Sequence, residues 1–382
     1  MLFECYDYFK VGRFGGPNTS VIRANRIMRI LAIIMRRSAG LILLALSSYI
    51  CHEVRADTRP SEEPDSAIGN TFHGEAERRP IDAEDPATTG GDIWLISTRQ
   101  LGCPSFNDES PVDLRVSQYS GSGNWIESGL DELLNGESRQ TVIYVHGNRV
   151  GYDEAIMRAW DTFGVLQADA AAPPLRLIIW SWPSDQIHGQ IRDVRYKASR
   201  TNSEGQYLAW FLSQMDAETR VSLIGYSYGA RIATGAVHVL GGGALCGRST
   251  PLAYASGNRR PIQVVLIAAA LHNHWLSPGG YHDRFSSSAD RLLVIYNSCD
   301  PLLKRYRIIE KRGRPVALGH SGAWGLDDDL AARTEQHDVC CSVGRTHRET
   351  DFLSSTEVIQ WVQQLVLFHA MPVDAIRRRS ER

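Results

Sequence analysis

The chain has no excess of either charge. Its 382 residues carry 41 basic and 43 acidic side chains, a net of -2. A partner chosen by bulk electrostatics, nucleic acid first among them, is therefore not expected. Cysteine is scarce: only Cys103, Cys246, Cys299, Cys340 and Cys341 lie beyond residue 56. At most two bridges can form from these five, and the sequence does not name the pairs. Cys340 and Cys341 are read on opposite faces of a strand, where they would not share one metal or one bridge. CxxC and other zinc spacings are absent. His272-Asn273-His274 alternates like a ligand pair but has no third ligand near it in sequence. No metal or cofactor is expected. Internal repeats are also missing, and no apolar run is long enough for a comfortable membrane span.

The amino-terminal part reads as a targeting region. Ser38 to Ile50 is a short apolar run behind Arg36-Arg37, and Val54-Arg55-Ala56 offers small residues at a cleavage site. Residues 1–56 are thus expected to hold an upstream segment and a secretory signal, with translation starting at Met28 or Met35 and cleavage after Ala56. An uncleaved anchor formed by residues 38–50 is the alternative, and is the only membrane contact expected. Ile50 before Cys51 argues against a lipid-attachment site, and Ser38-Ala39-Gly40 lacks the aromatic of a twin-arginine signal. Residues 57–91, rich in Pro, Glu, Asp, Arg, Ser and Thr, cannot bury enough apolar surface to order themselves and read as a disordered linker. Residues 372–382 read as a charged, frayed tail.

From Asp92 the texture becomes that of a folded domain, 92–371. Continuous apolar runs at 93–98, 141–145, 175–180, 221–224, 263–269 and 291–296 read as buried strands. Residues 112–119 alternate and read as an antiparallel edge strand, and 338–343 as the last strand. Helices are expected over 152–167, about 203–215, after residue 229 and over 355–369, with a polar crossing before residue 203. Buried strands alternating with helices imply a mostly parallel sheet of about eight strands covered on both faces. The connection from the 263 strand to the 291 strand is about twenty residues, which predicts a small lid and an open pocket lined by Trp182, Trp275 and Tyr228.

The chain is organised around Val221 to Gly229, VSLIGYSYG. Strand, G-x-S-x-G, helix is the context of a nucleophile elbow. A serine on so sharp a turn is forced into sparse backbone angles, and only glycine fits cheaply two residues to either side, at Gly225 and Gly229. A serine hydroxyl needs a base, and the base an orienter. The expected order is serine, acid, histidine. Asp300 follows a strand directly, whereas Asp283 does not, so Asp300 is taken as the acid. His347 lies on the last loop before the last helix and is preferred to His320 and to His337, the latter read at the start of a strand. The N–H groups of Asn148 and Tyr228 are expected to form an oxyanion hole. His146 is expected to be a structural hydrogen-bonding residue.

Taken together, VIYVHGN, IIWSWPS, Asp193 and LIGYSYG, in that order, resemble the α/β-hydrolase superfamily, and in particular a bacterial branch catalogued as a domain of unknown function. Gly225, Ser227 and Gly229 match its elbow, and Trp182, Pro183 and Ser184 its second motif. Tyr226 and Tyr228 depart from the His and Met common there. The resemblance implies esterase-like or lipase-like activity. The expectation is an exported serine hydrolase cleaving a carboxylic ester through an acyl-enzyme. An inactive binding or envelope module, and an amidase, peptidase or acyltransferase with the same triad, remain open.

Overall fold

The structure is a computed structural model that describes residues 91–104, 112–121, 123–136, 140–167, 172–252, 262–308 and 315–367. The expected signal segment, the expected linker up to residue 90 and the charged tail lie outside the described residues.

In chain order the elements are β1 (Asp92–Ser97), β2 (Arg115–Tyr119), β3 (Trp125–Ser128), α1 (Leu130–Asn135), β4 (Gln140–Val145), α2 (Tyr152–Gln167), β5 (Leu175–Ser181), α3 (Gln190–Gln214), β6 (Val221–Tyr226), α4 (Tyr228–Leu240), β7 (Ile262–Ile267), β8 (Ala289–Tyr296), α5 (Leu318–Ser321), α6 (Asp328–Ala332), β9 (Thr334–Asp338), α7 (Cys340–Val343), α8 (Glu349–Leu353) and α9 (Thr356–Leu367). Single 3-10 turns cover Phe285–Ser287 and Leu303–Ile308. The strands form one nine-stranded sheet in the order β3-β2-β1-β5-β4-β6-β7-β8-β9. From β1 to β9 all neighbours run parallel, and β2 and β3 add an antiparallel end. The strand composition explains this arrangement. Every residue of β5, β6 and β7 is buried, as expected of strands covered on both faces.

The chain steps from β4 to β5 on one side, then returns across β4 to β6 on the other. Crossovers between parallel strands are right-handed, so opposite directions of travel put α2 on one face and α3 and α4 on the other. The packing agrees: α3 packs on α4, and α9 on α2. The reversal at β4/β6 opens a crevice at the carboxyl ends of these two strands, the place where such sheets take ligands.

Four expectations need correction. The alternating strand β2 is not an edge, because β3 pairs outside it; β3 is short and half polar, and gave no apolar run. The polar crossing before residue 203 is the first half of α3. Its polar side chains break the apolar periodicity because they are buried in pairs. Arg200 meets Glu204 at 2.7 Å, Glu204 also accepts from Thr98 Oγ1 at 2.7 Å, and Lys197 Nζ donates to the Pro183 carbonyl at 2.9 Å. The last strand is Thr334–Asp338, a polar edge, and the segment expected as strand holds the helical turn Cys340–Val343. An edge strand with charged and polar side chains lacks the apolar signal, while Val and Cys in the turn mimic it. Lastly, Cys340 is not part of a strand with Cys341; it is bonded to Cys299, which ties the end of β8 to the turn after β9.

Candidate active site

β6 delivers Ser227 to the crevice. The serine has φ 52° and ψ -111°, a left-handed conformation that costs energy in a residue with a Cβ. Its N–H donates to the Ile267 carbonyl at 3.0 Å, and its carbonyl accepts from the Ala270 N–H at 3.1 Å, so the end of β7 pins the turn. The flanking glycines are set by contact distance. A Cβ on Gly229 would lie 1.9 Å from the Val145 carbonyl oxygen, and one on Gly225 would lie 2.7 Å from Ala230 Cα. The tight turn thus comes from β6 and α4 pressing against β4.

Asp300 lies in the loop after β8 and is fully buried. One carboxylate oxygen, Oδ1, accepts from the N–H groups of Leu302 and Leu303 at 2.8 and 2.9 Å. The other, Oδ2, meets His347 Nδ1 at 2.5 Å. The turn-capping role common for an Asp before Pro and the role of an imidazole partner are therefore filled by two oxygens of one group. His347 Nε2 lies 3.1 Å from Ser227 Oγ. The three residues, scattered over 120 positions in sequence, form one hydrogen-bonded line.

The His347 loop is held from several sides. Asn297 Nδ2 donates to the carbonyls of Gly344 and Thr346 at 2.8 and 3.0 Å. The Tyr226 hydroxyl donates to the His347 carbonyl, with the two rings 5.5 Å apart. Just beyond, the buried Glu349 accepts from the Tyr144 hydroxyl at 2.7 Å and from Arg158 at 2.8 Å. Burial raises the Glu349 pKa, and the arginine opposes that. Sequence reading missed these supports. Tyr226 occupies a variable position of the elbow, and Glu349 and Asn297 look like ordinary polar loop residues. The Cys299–Cys340 bond was open among several pairings.

The loop after β4 completes the crevice. A Cβ on Gly147 would lie 3.3 Å from Ser227 Cβ, so this backbone runs against the serine. The next residue, Asn148, is followed by Arg149 at φ 59°. Asp193 holds this strained turn: its buried carboxylate pairs with Arg149 at 2.8 Å and accepts from the Ile187 N–H at 3.1 Å, with Asn148 Nδ2 at 3.5 Å. Tyr228 is buried at the start of α4, its hydroxyl donating to the Val194 carbonyl at 2.9 Å. His146 is buried beneath the loop. Its Nε2 accepts from the Trp182 N–H at 3.2 Å, leaving Nδ1 to donate to the Gly147 carbonyl at 2.9 Å. Burial depresses its pKa to about 3, so it is neutral.

The other candidates lie elsewhere. His337 is at the carboxyl end of β9, not its start, and stacks 3.8 Å from the Trp361 ring. His320 is on α5, with a buried Nδ1 that has no hydrogen-bond partner among the described residues. Asp283 is 3.7 Å from His238. His272 accepts from the His274 N–H. Trp182 does not line a pocket: it is fully buried, and its Nε1 donates to the His146 carbonyl at 2.8 Å. Trp275 lies in the β7–β8 connection with Arg231 4.4 Å above its ring. That connection holds only turns and one 3-10 turn. The longer excursion is 297–333, between β8 and β9.

Residues 125–266 match the family described as "Alpha/beta hydrolase of unknown function (DUF900)". The matched segment runs from β3 to the next-to-last residue of β7, and so includes the HG loop, the Trp-Pro-Ser segment, Asp193 and the elbow. The chain has the α/β-hydrolase fold, with a mostly parallel sheet. Among solved structures it is similar to esterase B from Lactobacillus rhamnosis, described with a tributyrin phosphonate inhibitor, at 13% identity over 75% of this chain and 86% of that one, with a TM-score of 0.32. No protein in the curated set matches the chain in sequence.

Proposed function

We propose that this α/β-hydrolase-fold chain is a serine hydrolase that cleaves a carboxylic ester through an acyl-enzyme. Ser227 Oγ attacks the carbonyl carbon as its proton passes to His347 Nε2. Asp300 holds Nδ1–H and stabilises the imidazolium. The carbonyl oxygen becomes an oxyanion facing the N–H groups of Asn148 and Tyr228. Collapse breaks the ester C–O bond, and the leaving alkoxide takes the proton from Nε2. Water then gives its proton to Nε2 while attacking the acyl carbon, and Ser227 recovers that proton when the acid leaves.

The observation that carries this reading is the line Ser227–His347–Asp300 at 3.1 and 2.5 Å. A binding module would have no need of a strained serine aimed at a histidine whose other nitrogen is held by a buried carboxylate. The test is labelling with a fluorophosphonate probe together with turnover of p-nitrophenyl esters of increasing acyl length. Labelling and turnover that vanish in Ser227→Ala are expected. Absence of labelling on the folded parent overturns the mechanism. A preference for peptide or amide substrates would move the activity to that class.

Export belongs to the same reading. The Cys299–Cys340 bond supports an oxidising compartment, since structural disulfides persist there and are rare in the cytosol. Mass analysis of the protein recovered from outside the cytosol tests cleavage after Ala56.

A further inference from the structure

The 3-10 turn Leu303–Ile308, directly behind Asp300, carries chemistry that the hydrolase reading does not use. A cavity of about 560 Å³ is walled by Cys299, Pro301, Lys304, Arg305, Arg307 and Arg345. Neither Ser227 nor His347 lines it. Among the described residues, four cations thus share one concavity with no carboxylate in its wall, and none of the four has an ion pair. Of the carboxylates close to this loop, Asp300 is taken up by His347 and by the N–H groups of Leu302 and Leu303, and Asp338 by the N–H groups of Ser298 and Cys340, each at 3.1 Å. Like charges gathered this way repel, so the arrangement favours an anion.

The apolar residues on the same turn decide which kind. Leu302, just before the turn, and Ile308, at its end, are 52% and 45% exposed. The Ile308 carbonyl accepts from Arg195 of α3 at 3.2 Å, which brings in a fifth cation, and one helical turn before it Ile191 is 52% exposed. A site for a soluble anion has no use for large exposed aliphatic side chains around its cations. A bilayer surface uses both: aliphatic side chains enter the boundary between headgroups and acyl chains, while Lys and Arg meet anionic headgroups. No helix among the described residues is long and apolar enough to cross a membrane, so the contact would be peripheral.

We propose that the surface formed by the Leu303–Ile308 turn and its basic cavity docks the protein on anionic phospholipid membranes. The sequence alone suggested membrane contact only through residues 38–50. This second contact belongs to the folded domain and stands whether or not Ser227 is catalytic. Asp300 lies three residues before the turn, so docking would bring the lipid surface beside the loop that carries it.

The test uses the full chain with vesicles of phosphatidylcholine alone and of phosphatidylcholine with phosphatidylglycerol. Hydrogen exchange reads the surface itself, so a contribution from residues 38–50 does not obscure it. Slowed exchange at residues 302–308 is expected on the anionic vesicles, weakening as salt is raised. The triple variant Lys304→Gln, Arg305→Gln, Arg307→Gln should lose that protection, and its partitioning should fall on the order of 100-fold, about 5-fold per cation. Leu302→Ser with Ile308→Ser should weaken binding at unchanged charge. Unaltered exchange at 302–308 on anionic vesicles overturns the proposal even if the protein binds them. Protection by inorganic phosphate or heparin without protection by vesicles would also overturn it, assigning the cavity to a soluble anion.

Discussion

Tyr226 shows how much a side chain at a variable motif position can do. Its ring packs beside His347 and its hydroxyl holds the His347 carbonyl, so it positions the proposed base without touching the serine's reacting oxygen. Tyr226→Phe keeps the packing and removes the hydroxyl. A fall in kcat on the order of 10-fold with little change in KM is expected, the pattern of a base whose alignment has loosened. An unchanged kcat would leave Asn297 and the loop itself as the supports. Gly229 is the opposite case, where nothing is adjustable. Its missing Cβ leaves room for the backbone of β4, and Gly229→Ala should cost more than about 3 kcal/mol and reduce the soluble yield of folded protein. Denaturant unfolding of whatever folded variant is recovered checks the figure.

Two strand ends and the loops beyond them position the histidine and its partner. The Cys299–Cys340 bond joins the residue before Asp300 to the turn that leads into the His347 loop. It closes a loop of 41 residues, and loop-closure entropy assigns such a bond about 4 kcal/mol of stability. Replacing both cysteines by serine should lower the unfolding free energy by up to that amount. Activity should fall more steeply with temperature than in the parent, because the acid and histidine loops then separate before the sheet melts. Coincident loss of activity and global structure would show that the bond steadies the whole fold rather than this corner. The loop after β4 is handled differently: there the buried Asp193, not a covalent bond, restrains Asn148 and Arg149.

Among the described residues of the whole molecule, three buried histidines have pKa values depressed by burial: His146, to about 3, and His238 and His282 in the same direction. In the unfolded chain an imidazole binds its proton below about pH 6.5. Between there and the folded values the unfolded state holds more protons, so stability is intact above about 6.5 and falls as the pH drops. Each histidine contributes a slope of up to about 1.4 kcal/mol per pH unit. The buried Glu204 and Glu349 have raised pKa values and act in the opposite sense, their contribution being present at low pH and lost as pH rises. A comparison of unfolding free energies from pH 6.5 down to about 4 isolates one term. His146→Gln keeps an acceptor for the Trp182 N–H, lowers stability at neutral pH, and should flatten the acid slope by up to one proton. An identical slope would mean that His146 is protonated in the fold.

What the sequence determined by itself was everything that depends on local pattern. The apolar strands, α2 and the elbow are written in runs of residues whose periods match their structures, and the chain order of Ser227, Asp300 and His347 could be read along those strands. The first half of α3 and β9 escaped because their polar side chains obey pairing and edge requirements rather than periodicity. Tertiary structure alone decided that β4 and β6 adjoin, that Asp300 and His347 meet at hydrogen-bond distance, and that Cys299 bonds to Cys340. It also decided that Trp182, expected at a pocket wall, is committed to His146 in the core. These are contacts between residues tens of positions apart. They form only when the sheet order closes, and no local stretch encodes the distance across which a side chain finds its partner.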